Sequence, residues 1–125
     1  MKRQKVDELE KLIGQIEGFH AEMSAMTKKK PNDGVNVFKL KLINAALSRC
    51  NTVLGSQYKP FPDFSLFNAD DVPSNSDVTI ILTQYLNAIE KLRSDNIFIE
   101  HGYWYWKLTD ETPPVRTSAP KKLKR

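Results

Sequence analysis

Three stretches of the chain space their apolar residues at intervals of three and four, which is typical of the buried face of an α-helix. The first covers residues 5–27, the second about residues 36–55 and the third about residues 75–93. Pro31 cannot continue the first helix, Gly55 is well placed to stop the second, and residues 74–77 supply N-cap candidates for the third. The pattern therefore predicts three main helices.

The first helix needs a partner for its apolar stripe, which has the spacing of a coiled-coil seam. Gly14 and Gly18 each weaken it by roughly 1 kcal/mol relative to alanine, and it is short for an independent coiled coil. The stripe packs either on the rest of its own chain or on a second copy or protein partner, and periodicity leaves both open. In the second case, with an outward-facing isoleucine of the third helix, the partner-binding residues are Leu9, Leu12, Ile16, Phe19, Met23 and Ile80.

A different pattern follows the third helix, where β-branched and aromatic residues dominate. Residues 97–100 and 103–108 are predicted strands of a hairpin that turns at His101 and Gly102. Alternation along the second strand places Trp104 and Trp106 on one face and the two tyrosines on the other, so one pair is expected to seal the core. The aromatic connection over residues 56–75 is expected to fold back over that core, with a short helical turn near residues 68–72.

The polar, proline-containing C-terminal segment predicts a disordered basic tail. Three regions follow: an amphipathic helix with a basic turn over residues 1–34, a three-helix domain with a hairpin over residues 35–109, and the tail over residues 110–125. The expected fold class is mostly α within α+β.

Composition limits the possible functions. The 125 residues fit one domain with appendages. Cys50 is the only cysteine, which excludes an intramolecular disulfide and fits a reducing compartment. No apolar run approaches the roughly 20 residues of a membrane span, and no apolar segment of a signal peptide follows the basic start. We expect an intracellular protein, cytoplasmic, nucleoid-associated or nuclear, with no membrane partner.

Charge is distributed unevenly along the chain, whose formal net charge is +4. Residues 35–67 carry four cations and one carboxylate, residues 68–100 carry two cations and six carboxylates, and residues 101–125 carry six cations and two carboxylates. Any contact with a polyanion would depend on the tail, on the lysine run at residues 28–30 and on parts of residues 35–67.

The residues that could carry catalysis are few. Cys50 lies in an apolar stripe and is expected to be a buried structural thiol. His20 and His101 are the only histidines, and neither provides a base for a nucleophile or a metal-ligand spacing. Arg93 and His101 are similar in order to the arginine–histidine pair of HEPN ribonucleases, but with seven intervening residues rather than four to six. We therefore expect neither enzymatic activity nor a metal or cofactor.

Over residues 36–109 the order of elements resembles the winged helix-turn-helix superfamily: a long helix, a polar break, then an aromatic hairpin. The resemblance implies that the third helix reads the major groove and that the hairpin is the wing, which contacts the backbone or minor groove. With the basic clusters added, the candidate nucleic-acid-binding residues are Lys28, Lys29, Lys30, Thr83, Gln84, Asn87, Lys91, His101, Lys107, Lys121, Lys122, Lys124 and Arg125.

Two functions follow as hypotheses. The first is a non-enzymatic, nucleic-acid-associated accessory or regulatory protein whose basic tail contacts phosphates. The alternative is a protein-interaction subunit of a larger assembly with no direct nucleic-acid binding, which the apolar stripe, the surplus aromatics and the acidic residues 68–100 favour. The tail is also compatible with a nuclear-import signal or a solubilising end.

Overall fold

The computed structural model describes residues 1–123. Its elements in chain order are α1 (Arg3–Lys29), α2 (Val37–Tyr58), a short 3₁₀ turn (Ala69–Asp71), α3 (Asn75–Ser94), β1 (Ile97–Glu100), β2 (Tyr103–Trp106) and β3 (Arg116–Thr117). The strands form one antiparallel sheet in the order β1-β2-β3. The expected class, mostly helical α+β with three helices and a hairpin, is confirmed.

One apolar core draws on all three helices and on the sheet. α1 contributes a row of side chains that α2 and α3 cover, and its contact with α3 is the most extensive between elements of the described chain. Leu9, Leu12, Ile16 and Met23 are fully buried in this core, and Phe19 is half-buried against it. The stripe thus packs on the rest of its own chain, which is the first of the two alternatives, and residues 1–34 share their core with residues 35–109.

The junction at the start of α3 is fixed by hydrogen bonds. Ser74 Oγ accepts from the amide of Asp77 at 3.1 Å, and the Asp77 carboxylate accepts from the Ser74 amide at 3.0 Å, which is a capping box. The Asn75 side chain donates to the Lys30 carbonyl at 2.8 Å. The end of α1 is thereby held against the first turn of α3.

The connection between α2 and α3 covers the core as its aromatic content predicts. Gly55 adopts φ 64° and interrupts α2 where the sequence predicts its end. Phe64 packs edge-on against Phe67 at 5.0 Å between ring centroids. Asn44 then clamps the backbone of Phe67 on both sides, since it donates to the carbonyl and accepts from the amide, each at 2.9 Å. The segment leading into the 3₁₀ turn therefore has a fixed position beside α2.

The hairpin forms with the predicted two-residue turn, in which His101 and Gly102 both have positive φ. The alternation is also confirmed: Trp106 is buried and Trp104 is half-buried against the core, while Tyr103 lies on the exposed face. The indole Nε1 of Trp106 donates to Glu10 Oε1 at 2.9 Å. The sheet is thereby bonded to α1.

Part of the segment over residues 110–125, for which the sequence predicts a disordered tail, is bonded to the domain in the structure. β3 pairs with β2, and the Trp106 amide donates to the Val115 carbonyl at 3.0 Å. The buried guanidinium of Arg93, 4% exposed, donates to Thr117 Oγ1 and to the carbonyls of Ser118 and Ala119. Composition does not show these partners because α3 and β2 supply them. Two predicted basic residues, Lys124 and Arg125, lie outside the described part of the chain.

Candidate functional site

The residues expected to read nucleic acid on α3 do not form one free surface. Thr83 Oγ1 lies 2.8 Å from His20 Nε2 on α1 and also donates to the Thr79 carbonyl, so its hydroxyl serves the contact between the two helices. Asn87 is half-buried and lines a cavity of about 130 Å³ between α1 and α3. Gln84 and Lys91 are exposed. Thr83 is therefore removed from the predicted reading face.

The exposed face of α3 carries little positive charge. Its exposed side chains are Asp77, Ile80, Gln84, Lys91 and Asp95. Lys91 Nζ lies 3.2 Å from Asp95 Oδ1, and the Tyr58 hydroxyl donates to the same carboxylate at 2.7 Å. Hydrogen bonds from Tyr58 and Lys91 hold the pKa of Asp95 below its ordinary value. A face with two carboxylates and one paired lysine does not attract phosphates.

The other predicted basic residues are dispersed. Lys28, Lys29 and Lys30 are exposed beside the first turn of α3. Lys121 and Lys122 are exposed at the cavity that Glu90 also lines. Asn75 and Glu90 are fifteen positions apart along α3, which is about 22 Å of helix. His101, whose side chain is 90% exposed, and the exposed Lys107 belong to the hairpin. The structure does not bring these groups together.

The structure places the candidate residues for catalysis, Cys50, Arg93 and His101, in separate environments. Burial raises the pKa of Cys50 to about 12, so its thiol is protonated at neutral pH. Arg93 is buried and bonded to Glu90 whereas His101 is exposed at the hairpin turn, which is not the arrangement of an arginine–histidine ribonuclease pair. Within the described chain no three histidine, cysteine, aspartate or glutamate side chains are grouped so that they could hold a metal ion.

The most exposed large apolar side chains instead occur on the outward side of α2. Phe38 is 71% exposed and Val37 is 69% exposed, and Leu42 follows Phe38 by one helical turn. Lys41 lies one turn after Val37. Together with Leu66, which flanks α2 across a groove, these side chains make the α2 surface, defined as Val37, Phe38, Lys41, Leu42 and Leu66.

The groove beside α2 is open and firmly built. Its volume is about 510 Å³, and its lining residues are Val37, Leu40, Lys41, Asn44, Leu66, Phe67, Asn68 and Ala69. One wall is α2 and the other is the segment that Asn44 clamps. Asn51 adds a second tie, because its side chain donates to the Ser65 carbonyl at 2.9 Å. An incoming group would therefore meet a preformed site rather than a loose loop.

Helix α2 itself has one sign of charge. α2 contains Lys39, Lys41 and Arg49 and no carboxylate. Lys39 pairs with Glu22 of α1 at 2.7 Å, whereas Lys41 and Arg49 make no ion pair within residues 1–123. The surface therefore combines apolar side chains with free positive charge.

The α2 surface was absent from the predicted sites, although the sequence contains a signal for it. The buried stripe of the second helix passes through Ile43, Leu47 and Cys50. Phe38 and Leu42 fall off that stripe at helical spacing, and large apolar residues off the buried face are what an interaction surface requires. The predicted partner residue on α3, Ile80, is 60% exposed, in agreement with its outward position.

Fold and surface together define a small helical α+β protein with a cationic, apolar surface on its second helix. No protein-family model matches the chain, and no match was found among curated proteins or solved structures. Among the described residues no helix has both the length and the apolar character needed to cross a membrane.

Proposed function

We propose that the protein is a docking subunit of a larger protein assembly and that it binds its partner through the α2 surface. Phe38 carries the proposal, because this aromatic residue, 71% exposed, is the most exposed large apolar residue among those described. Covering such a ring yields roughly 25 cal/mol for each Å² of apolar area removed from water. Exposed apolar clusters rimmed by polar groups mark interaction sites.

A protein suits this surface better than a nucleic acid does. A nucleic-acid backbone is a hydrated row of phosphates, and it is bound mainly by cations and polar groups. The α2 surface offers four apolar side chains and one lysine. Protein interfaces place aromatic and aliphatic side chains at the centre and charged residues at the rim. The same pattern is seen here, with Lys41 beside Val37 and Phe38.

Affinity capture with three tagged forms of the full chain, expressed in the source cells, tests this proposal. The forms are the unchanged chain, Phe38→Asp and, as a matched control, Gln84→Asp, which adds the same charge at an exposed position of α3. We expect the unchanged chain and the control to retain one stoichiometric protein after nuclease treatment. Phe38→Asp is expected to lose at least 90% of it, because a carboxylate cannot be buried unpaired in an apolar contact (roughly a tenfold loss for each 1.4 kcal/mol). Equal recovery by all three forms would contradict the proposal.

An accessory contact with nucleic acid is the second candidate, and Lys28, Lys29 and Lys30 favour it. All three are exposed, and none makes an ion pair within the described chain. The nuclease step of the capture distinguishes the two candidates. A partner that is released by nuclease, and that is also lost when these three lysines are replaced by alanine, would favour this second function over protein docking.

A further inference from the structure

We infer that the partner presents an acidic amphipathic helix to the α2 surface, an inference that rests on the docking function proposed above. It names the chemistry of the partner from three features of the site: its charge, its shape and the state of its backbone groups. The charge argues against a basic partner, and the shape and the backbone groups argue against an extended segment.

The charge of α2 points to carboxylates on the partner. The N-terminus of a helix is the positive end of its dipole, where acidic side chains are stabilising and cations are not. α2 nevertheless has no acidic residue in its first turn and carries Lys39 and Lys41 near its start. Glu22 neutralises Lys39 from α1, but Lys41 has no such counterion among the described residues. A carboxylate of the partner beside Lys41 would supply it.

The shape of the site favours a helix. Val37 and Lys41 form one row along the helix axis, and Phe38 and Leu42 form a second row beside it. The groove between α2 and Leu66 runs next to these rows. Rows of side chains spaced by four residues pack into the grooves of another helix, which is the usual way in which an amphipathic helix is bound.

An extended segment would pair with free backbone groups at the groove, and several of these groups are already bonded. The amide and carbonyl of Phe67 are both bonded to Asn44, and the Ser65 carbonyl accepts from Asn51. On the other wall, the α2 backbone is hydrogen-bonded within the helix. A strand therefore cannot pair with Phe67 or with the Ser65 carbonyl, which favours side-chain contacts as the mode of binding.

A second copy of the chain does not match the charge of this surface. A symmetric contact would place the same patch on both sides, so that Lys41 of each copy would meet a surface that offers no carboxylate of its own. Like charges in an interface cost several kcal/mol. The partner is accordingly a different segment, with opposite charge.

The test uses fluorescence anisotropy of labelled peptides with the full chain. The probe is a helical peptide of about 18 residues, five turns, with a leucine stripe flanked by glutamates. One control peptide replaces the glutamates by lysines, and a second replaces the leucines by serines. Anionic phospholipid vesicles and random duplex DNA are measured in parallel. We expect only the acidic amphipathic peptide to bind, with a Kd below about 1 mM.

Two substitutions on the α2 surface, one charge reversal and one introduced charge, locate the contact. Lys41→Glu is expected to weaken binding of the acidic peptide at least tenfold (a loss of about 1.4 kcal/mol), and Leu42→Asp is expected to abolish it. Lys91→Glu, a matched reversal on the exposed face of α3, is expected to change the Kd less than about twofold. Unchanged thermal unfolding of all three variants shows that folding is not the cause, since the replaced side chains are exposed.

Several results would overturn the inference. These are equal or tighter binding of the lysine peptide, no binding of the acidic peptide, and binding of vesicles or DNA that depends on Lys41. If the acidic peptide fails while a partner is still captured through Phe38, the acidic-helix inference fails and the docking function stands. If neither the peptide nor a partner depends on α2, both fail.

Discussion

Replacing Arg93 with alanine is expected to lower the free energy of unfolding by about 3 kcal/mol, because it removes one partner of a buried ion pair and leaves the Glu90 carboxylate unpaired. The guanidinium donates through Nε and Nη2 to Glu90, with its shortest contact at 2.6 Å. Its remaining donors hold the C-terminal segment at Thr117, Ser118 and Ala119. The loss lies near the lower end for buried pairs because the Glu90 side chain is 13% exposed and water can reach it.

Urea denaturation and limited trypsin digestion measure the two consequences. The Arg93→Ala chain is expected to be cleaved after Arg116, which lies in β3 of the unchanged protein. Lys91→Ala is the control, since it removes an exposed ion pair with Asp95 that contributes about 0.5 kcal/mol or less. If Arg93→Ala and Lys91→Ala have equal stability and Arg116 stays protected, Arg93 does not hold the segment.

Replacing Leu9 with alanine is expected to cost about 3 kcal/mol of folding free energy, independently of protein concentration. Leu9 is fully buried among the side chains that join α1 to the rest of the chain. The alanine leaves a cavity that neighbouring helices fill only in part. Thermal unfolding at two protein concentrations, about a hundredfold apart, measures the effect and separates a core residue from a residue at a dimer interface.

Lys11→Ala is the matched control for Leu9, since it changes an exposed position of the same helix. We expect its effect to stay within about 0.5 kcal/mol. An unfolding midpoint of the unchanged chain that rises with protein concentration would show instead that the α1 stripe also serves an intermolecular contact.

Periodicity was sufficient to predict α1, α2 and α3 from the sequence. The apolar spacing of each helix, Gly55 and the Ser74 cap predict the observed elements closely. Periodicity gives the face that is buried but not the surface that buries it. For this reason the sequence left open whether the Leu9 stripe of α1 packs on its own chain or on another copy.

The tail and the reading face show a second limit. Composition predicts disorder from polar and proline residues. It cannot show that the Arg93 guanidinium donates three hydrogen bonds to the C-terminal segment. In the same way, the spacing of Thr83 and Asn87 on α3 predicts a polar face but not that α1 covers part of it. Both cases concern long-range contacts, which local patterns do not encode.

The α2 surface could be predicted from the sequence only in part. Phe38 and Leu42 could have been recognised as apolar residues outside the buried stripe. Their exposure depends on the connection over residues 59–68, which covers one side of α2 and leaves the other open. The sequence thus contains the residues of the candidate site, while the fold decides that they remain uncovered.

Site-specific photo-crosslinking in the source cells tests the docking function most directly. Benzoylphenylalanine is placed at Phe38, where it replaces one aromatic ring by another, and separately at Gln84 on the exposed face of α3. We predict one discrete protein adduct from position 38, unchanged by nuclease treatment, and none from position 84. An adduct from position 84 alone, or no protein adduct from position 38, would contradict docking through α2.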